Sequence, residues 1–213
     1  MTLPRLQVIL DVAVATDAGW MIPDLAAALL EGGARWIQVR GGGTPSGRLL
    51  DICDEVVALG RAQGASVIVN DRLDLARLAG AAGAHVGQAD IHPAHARQIL
   101  GPAAMLGVST HTLAQVEAAR LEPVSYIAVG PVFATSTKAT GYEPRGLGFL
   151  REAAQLASPT PVVAIGGITL ARAPSVLETG AAAVAVIGDV LRDRDPARRV
   201  AAYLEVLAEA GPV

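Results

Sequence analysis

The sequence predicts an α/β protein, a single (β/α)8 barrel, and three observations carry that expectation. Short apolar, β-branched runs recur along the chain. Between them lie stretches rich in Ala, Leu, Glu and Arg, which are good helix formers. The runs are continuously apolar instead of alternating, as suits a parallel sheet buried on both faces. Strand alternating with helix means successive βαβ units. Eight such runs suggest closure; a doubly wound open sheet is the second architecture the alternation allows. The 213 residues contain no low-complexity linker, composition shift or long charge run, so one domain over residues 1–213 is expected.

The elements follow in order. Residues 6–10 form the first strand. Leu25, Leu29 and Leu30 recur at helical spacing, and Glu31-Gly32-Gly33-Ala34 ends that helix with a left-handed glycine cap. Residues 36–39 are the second strand. Leu49, Leu50, Ile52, Val56 and Val57 then form an apolar helical pattern that includes Cys53. Residues 67–69 lead into a helix over 73–79, and Ala82-Gly83-Ala84 precedes a strand at 85–86. Residues 106–108 come next, then a helix with Leu113, Val116 and Leu121 on one side. Strands at 126–129, 162–165 and 184–187 complete the set, with Thr179-Gly180-Ala181 as the last glycine stop.

Composition narrows the function. With 52% hydrophobic and 17% charged residues, the chain is not disordered. A net charge of −3 disfavours a general nucleic-acid or membrane-surface binder, so any anion must be held locally. No apolar run approaches the roughly 20 residues of a membrane helix. Asp11 interrupts the first apolar run, which argues against a signal peptide. Cys53 is the only cysteine, so an intramolecular disulfide is impossible and a reducing cytoplasm is expected. Its apolar helical setting reads as a buried structural thiol. One lysine, Lys138, stands against sixteen arginines. A GC-rich genome accounts for that bias, yet a compact ammonium at one site differs chemically from a guanidinium fork.

Polar residues follow the strand C-termini: Gln38 and Arg40, Asn70-Asp71-Arg72, Gln88 and Asp90, Ser109-Thr110-His111, then Gly130, Gly166-Gly167 and Gly188. In a barrel all these positions face one end, where such folds place their chemistry. Turn chemistry explains a few of them; recurrence after most strands points to one site. Asp71 and Asp90 offer two carboxylates from neighbouring strand ends, the kind of donor set Mg²⁺ shares with phosphate oxygens. Each also fits as a helix cap, Asp71 for the helix over 73–79 and Asp90 near Ile91-His92-Pro93. His92 and His95 read as an exposed helix-start pair, and no Cys/His cluster has zinc spacing. Arg40 followed by Gly41-Gly42-Gly43, the run Thr135-Ser136-Thr137-Lys138, and the glycines of the last two strand ends are three candidate anion contacts. Together they suggest a site for two phosphorylated groups.

These residues resemble the thiamine phosphate synthase family and the related thiazole tautomerases, from about Gln38 to Gly188. The resemblance rests on Val69-Asn70-Asp71-Arg72, His85-Val86-Gly87-Gln88-Ala89-Asp90, Leu106-Gly107-Val108-Ser109, Gly130-Pro131-Val132-Phe133-Ala134-Thr135-Ser136-Thr137-Lys138 and Ala164-Ile165-Gly166-Gly167-Ile168. It implies a barrel of the TIM type that joins hydroxymethylpyrimidine diphosphate to thiazole phosphate. By that resemblance Asp71 and Asp90 hold Mg²⁺, and Arg40, Asn70 and Lys138 face the diphosphate. Gln38, His85 and Ser109 orient the pyrimidine; Thr135, Thr137, Gly166, Gly167 and Gly188 hold the thiazole phosphate and the reacting geometry.

Two departures stand out. The family pattern Gln-x-Arg-x-Lys reads Gln38-Val39-Arg40-Gly41-Gly42 here, so a lysine is replaced by Gly42. The gross Coulomb attraction lost is about 4 kcal/mol at a separation of about 4 Å and an effective dielectric near ~20. Arg48 or the glycine amides are the candidate replacements. The eighth strand ends Ile187-Gly188-Asp189, where the family commonly has Ser after Ile. Two other readings stay open: a tautomerase with His111 as general base, and a non-catalytic barrel that binds thiazole or thiamine phosphate. Pro131, the Thr135-x-Thr137-Lys138 run and both aspartates favour the synthase over the tautomerase. A homo-oligomer is compatible with all three.

Overall fold

The computed structural model describes residues 3–135 and 141–210. Strand β1 (Leu6–Asp11) leads into helices α1 (Val12–Asp17) and α2 (Ile22–Glu31), then β2 (Trp36–Arg40) and α3 (Ser46–Ala62). Next come β3 (Ser66–Asn70), α4 (Leu73–Leu78), β4 (Gly83–Val86), α5 (Pro93–Leu100), β5 (Met105–Thr110) and α6 (Leu113–Ala119). The chain continues through β6 (Tyr126–Val129), α7 (Gly146–Ala157), β7 (Val162–Ile165), α8 (Ala173–Leu177), β8 (Ala183–Val186) and α9 (Pro196–Glu209). Short 3-10 turns occupy Leu170–Arg172, before α8, and Gly188–Leu191, after β8.

Each strand pairs in parallel with its sequence neighbours, and β8 closes on β1 with Leu6 opposite Val184. The expected closed barrel is therefore the architecture, and the open sheet is excluded. The continuous apolar runs have a direct cause. Ile9, Trp36, Ile68, Met105, Tyr126, Val163 and Ala183 fill the barrel lumen. Their strand neighbours, such as Val8, Leu10, Ile37 and Val39, pack outward with the helices in the larger core. Both faces of each strand are thus dry, and alternation disappears. Trp36 meets Tyr126 edge-on inside the lumen, with ring centroids 5.0 Å apart. Gly107 makes that possible, because a Cβ there would stand 2.1 Å from the Tyr126 ring.

The strands differ from the expected runs mainly at their C-terminal ends. Asp11, Arg40, Asn70 and Thr110 continue the ladders of β1, β2, β3 and β5, although apolar patterning stops before them. Backbone pairing extends past the apolar core into the barrel mouth, where polar side chains are wanted. β4 starts earlier than expected, at Gly83, and β8 ends at Val186.

Cys53 is fully buried on α3, as expected. Burial, with the Asp54 carboxylate adding to it, pushes its thiol up to about 11. The thiolate is the reactive form, so Cys53 should resist a disulfide reagent such as DTNB at pH 8. The expected result is no colour over minutes in native protein and one equivalent after addition of denaturant. Rapid labelling of native protein would contradict the burial.

Candidate active site

The mouth of the barrel is built strand by strand. Asp11 ends β1 and lies opposite Arg40, the last residue of β2. The two form an ion pair in which Asp11 is buried and Arg40 partly exposed, and Asp11 also caps α1 by accepting from the Val14 N–H at 3.1 Å. The Arg40 Nε is buried and has no hydrogen-bond partner among the described residues. The glycine turn follows, closed by Thr44 N–H donating to the Gly41 carbonyl at 3.1 Å. A Cβ at Gly42 would meet nothing within 4 Å. Arg48 lies exposed on the first turn of α3.

Asn70 ends β3 and pairs with His85 of β4. Asp71 then adopts a left-handed backbone, φ 62°, held by its N–H donating to the His85 carbonyl at 2.7 Å. The N-cap position of α4 is taken by Arg72, not Asp71. Asp90 closes its own turn instead of capping α5: its Oδ2 accepts from the Gly87 N–H at 2.7 Å. His92 caps α5, its Nδ1 accepting from Ala94 N–H at 3.4 Å, and both His92 and His95 lie near the surface at the start of that helix. Asp71 and Asp90 are thus exposed carboxylates at the ends of adjacent strands.

The lumen beneath joins the expected Gln38, His85 and Ser109 into one polar chain through Tyr126 and Gln7, which the sequence did not announce. His85 is buried; its Nδ1 lies 2.8 Å from the Tyr126 hydroxyl and its Nε2 2.8 Å from Ser109 Oγ. Gln7 donates to the same hydroxyl at 3.3 Å, and the buried Gln38 side chain bonds it as well. Burial pushes the Tyr126 phenol far above its ordinary range, so it stays protonated. Gln88 braces the strand end by donating to the Ser109 carbonyl at 2.7 Å.

On the other side, a cavity of about 610 Å³ opens among the loops after β5 to β8. Of the predicted residues, Ser109, His111, Thr135, Gly166, Gly167 and Gly188 line it. His111 Nδ1 lies 2.6 Å from the Gly130 carbonyl, an acceptor only, so Nδ1 donates in this contact. Its ring stacks on Tyr142 at 4.2 Å. Gly166 and Gly167 have φ of 104° and 62°, and Cβ atoms there would stand 2.6 Å from Pro131 Cα and 2.4 Å from the Ala134 carbonyl oxygen. Only glycine fits this close approach of the two loops.

The predicted residues therefore fall into two groups. Gln38, Arg40, Asn70, Asp71, His85 and Asp90 sit on β2 to β4 and their loops. The cavity group sits on β5 to β8, and the His85–Ser109 hydrogen bond joins the two. Thr137 and Lys138 lie outside the described residues. Sequence reasoning missed Asp11, Tyr126, Arg172, Asp189 and Arg192. Asp11 follows the same strand-end rule as the others. Arg172, Asp189 and Arg192 line the cavity but lie in helical turns where arginines and aspartates are ordinary. No helix among the described residues is long and apolar enough to cross a membrane.

A closed parallel barrel with its polar and glycine residues gathered at the strand C-termini defines the TIM-barrel class of enzymes. Within that class, the chain belongs to the thiamine monophosphate synthase family, whose model matches residues 12–190. It is 45% identical over 186 residues to a thiamine-phosphate synthase of Anaeromyxobacter dehalogenans, covering 87% of this chain and 82% of the relative. It is 41% identical to the thiamine-phosphate synthase of Roseiflexus castenholzii over the same share of this chain and 81% of the relative. A thiamine phosphate pyrophosphorylase from Pyrococcus furiosus superposes with a TM-score of 0.87 at 29% identity, covering 98% of this chain and 97% of that one.

Proposed function

We infer that the chain is a thiamine phosphate synthase, a transferase that joins hydroxymethylpyrimidine diphosphate to thiazole phosphate and releases diphosphate. The observation that carries the reading is the two-part site. One group of residues, rich in charge and amides, lies beside a glycine-lined cavity, and the two meet at Ser109.

The reaction breaks the C–O bond between the pyrimidine methylene and the diphosphate, and the electron pair leaves with the diphosphate. The thiazole nitrogen supplies the pair for the new C–N bond. No proton needs to move and no protein nucleophile is needed. The protein must offset departing negative charge and position the acceptor nitrogen. Arg40, Asn70 and Lys138 serve the leaving group; Gln38, His85 and Ser109 orient the pyrimidine; Thr135, Thr137, Gly166, Gly167 and Gly188 hold the thiazole phosphate. Ser109, Arg40 and Lys138 are the proposed catalytic residues. His111 is the base that a tautomerase would use.

The donor set at Asp71 and Asp90 fits Mg²⁺. No group of three His, Cys, Asp or Glu side chains gathers among the described residues. Mg²⁺ does not require such a cage, since it binds through one or two carboxylates, water and phosphate oxygens. When bound, it supplies positive charge to the diphosphate. Both carboxylates are exposed at adjacent strand ends, and Asp90 commits only Oδ2 to its turn. The buried free thiol fits a reducing cytoplasm, and the partners are small phosphorylated molecules.

The decisive experiment incubates the protein with both substrates and Mg²⁺ and detects thiamine phosphate as fluorescent thiochrome. Product above a no-enzyme control is expected. Folded protein that yields none would overturn the reading; turnover of thiazole carboxylate phosphate would then favour the tautomerase, and binding without turnover the non-catalytic barrel.

Gly42 offers a second test. The open space at its Cβ means that Gly42→Lys adds the family's ammonium without steric conflict. Its KM for the diphosphate substrate should fall several-fold, with the effect shrinking as salt rises. An unchanged KM at low ionic strength would show that the missing charge is already replaced.

A further inference from the structure

We propose that Asp189 is a positioning residue. Its carboxylate clamps the loop after β7 to the loop after β8 and to α9, and so fixes the two glycine turns of the cavity relative to each other. The proposal rests on the reading that these turns hold the thiazole phosphate.

Asp189 follows Gly188 in the turn after β8, and its side chain is only 7% exposed. Its Oδ2 accepts from three residues on two elements. Leu170 N–H donates at 3.2 Å, Arg199 Nη2 and Nε donate at 2.8 and 3.2 Å, and the Tyr203 hydroxyl donates at 2.6 Å. Burial and the adjacent carboxylate hold the Tyr203 phenol well above its ordinary range, so it remains a donor. Arg199 and Tyr203 both belong to α9, which anchors the clamp outside the mouth.

The clamp reaches the glycines through short links. Leu170 opens the 3-10 turn that carries Arg172. Arg172 Nη1 donates to the Gly167 carbonyl at 2.9 Å, and its guanidinium lies 4.5 Å from the Phe133 ring centroid. The Tyr203 hydroxyl also stands 3.4 Å from the Ile168 carbonyl. Leu170 is therefore tied directly to the turn that begins at Gly188, Ile168 through Tyr203, and Gly167 through Arg172 and the 3-10 turn that Leu170 opens.

A buried carboxylate lining an anion cavity is costly by itself, since it repels the ligand. Stability alone would be served as well by apolar packing. Here the charge is offset by Arg199, with Arg192 Nε 3.8 Å from Oδ1. Oδ1 itself is buried with no hydrogen-bond partner among the described residues. The geometry trades that unsatisfied atom for a fixed relation between the two loops, both held through one carboxylate to α9.

The test measures KM for each substrate and kcat in wild type, Asp189→Ala, Asp189→Asn, Tyr203→Phe and Gly167→Ala, with Tm recorded for each. Losing the clamp should raise KM for thiazole phosphate about tenfold in Asp189→Ala, the scale of a lost buried hydrogen-bond network. KM for the diphosphate substrate should stay within about twofold of wild type. Asp189→Asn keeps an acceptor for Leu170 and Tyr203 and should recover most of the loss. If Asp189→Ala does not fold, Asp189→Asn and Tyr203→Phe carry the comparison, each with a smaller rise confined to the same KM. Gly167→Ala, whose Cβ would collide with the Ala134 carbonyl, tests the cradle itself. A rise in thiazole phosphate KM in Gly167→Ala but in no Asp189 or Tyr203 variant overturns the clamp alone. No rise in any variant overturns both the cradle and the clamp. Lower Tm with both KM values unchanged would reduce Asp189 to a structural role.

Discussion

Replacing Asp71 and Asp90 together by Asn should lower kcat/KM at saturating Mg²⁺ by about 10²–10³-fold, the scale of removing a preorganised charge stabiliser. The fold should survive. Asp71 sits at φ 62°, a left-handed conformation that Asn tolerates as well as Asp. In Asp90→Asn the amide oxygen can still accept from the Gly87 N–H that the carboxylate now engages. Circular dichroism and Tm should therefore match wild type while the thiochrome assay falls. The Mg²⁺ concentration for half-maximal rate should also rise. Full activity of the double variant in EDTA would remove both residues from the metal assignment.

Arg40→Ala should act on two properties at once. In the site it removes the guanidinium proposed to face the diphosphate, with a loss of about 10²-fold or more in kcat/KM. In the fold it leaves Asp11, only 5% exposed, as a buried charge without its cation. Removing one partner of a fully buried pair typically costs about 3–5 kcal/mol, and the partial exposure of Arg40 places the cost here below that range. Urea denaturation should show a lower midpoint with an unchanged m-value. Asp11→Asn separates the two effects: it keeps the cap on Val14 N–H and the Arg40 charge, so stability should fall less. A wild-type midpoint for Arg40→Ala would mean that the pair contributes nothing to the fold.

The barrel was legible because its cause is local. Strands dry on both faces read as unbroken apolar runs, and the helices between them read from composition. The strand ends were less legible, since Asp11, Arg40, Asn70 and Thr110 continue a backbone ladder that side-chain hydropathy does not record. Much of the candidate site followed from one rule, that polar residues after successive strands share a mouth. The lumen chain through Tyr126 did not follow. A tyrosine at the start of an apolar run looks like core, and only barrel closure brings it to His85 across 41 residues of sequence. The departure from the family pattern after β8 is legible at Gly188, but nothing marks Asp189 beside it; its partners on α9 lie 10 and 14 residues further on, at distances no motif encodes.

The division of the mouth into two groups has a consequence for how changes combine. By the proposed assignments the diphosphate is met from β2 to β4, with Lys138 joining from beyond β6, and the thiazole phosphate is held from β6 to β8, so apart from Lys138 each phosphorylated substrate is served by a different half of the chain. Variants in separate halves should have multiplicative effects on rate, because their free energies add when no partner is shared. Ser109 and His85 are an exception: they touch across the boundary, and there a pair of substitutions should cost less together than the product of each alone.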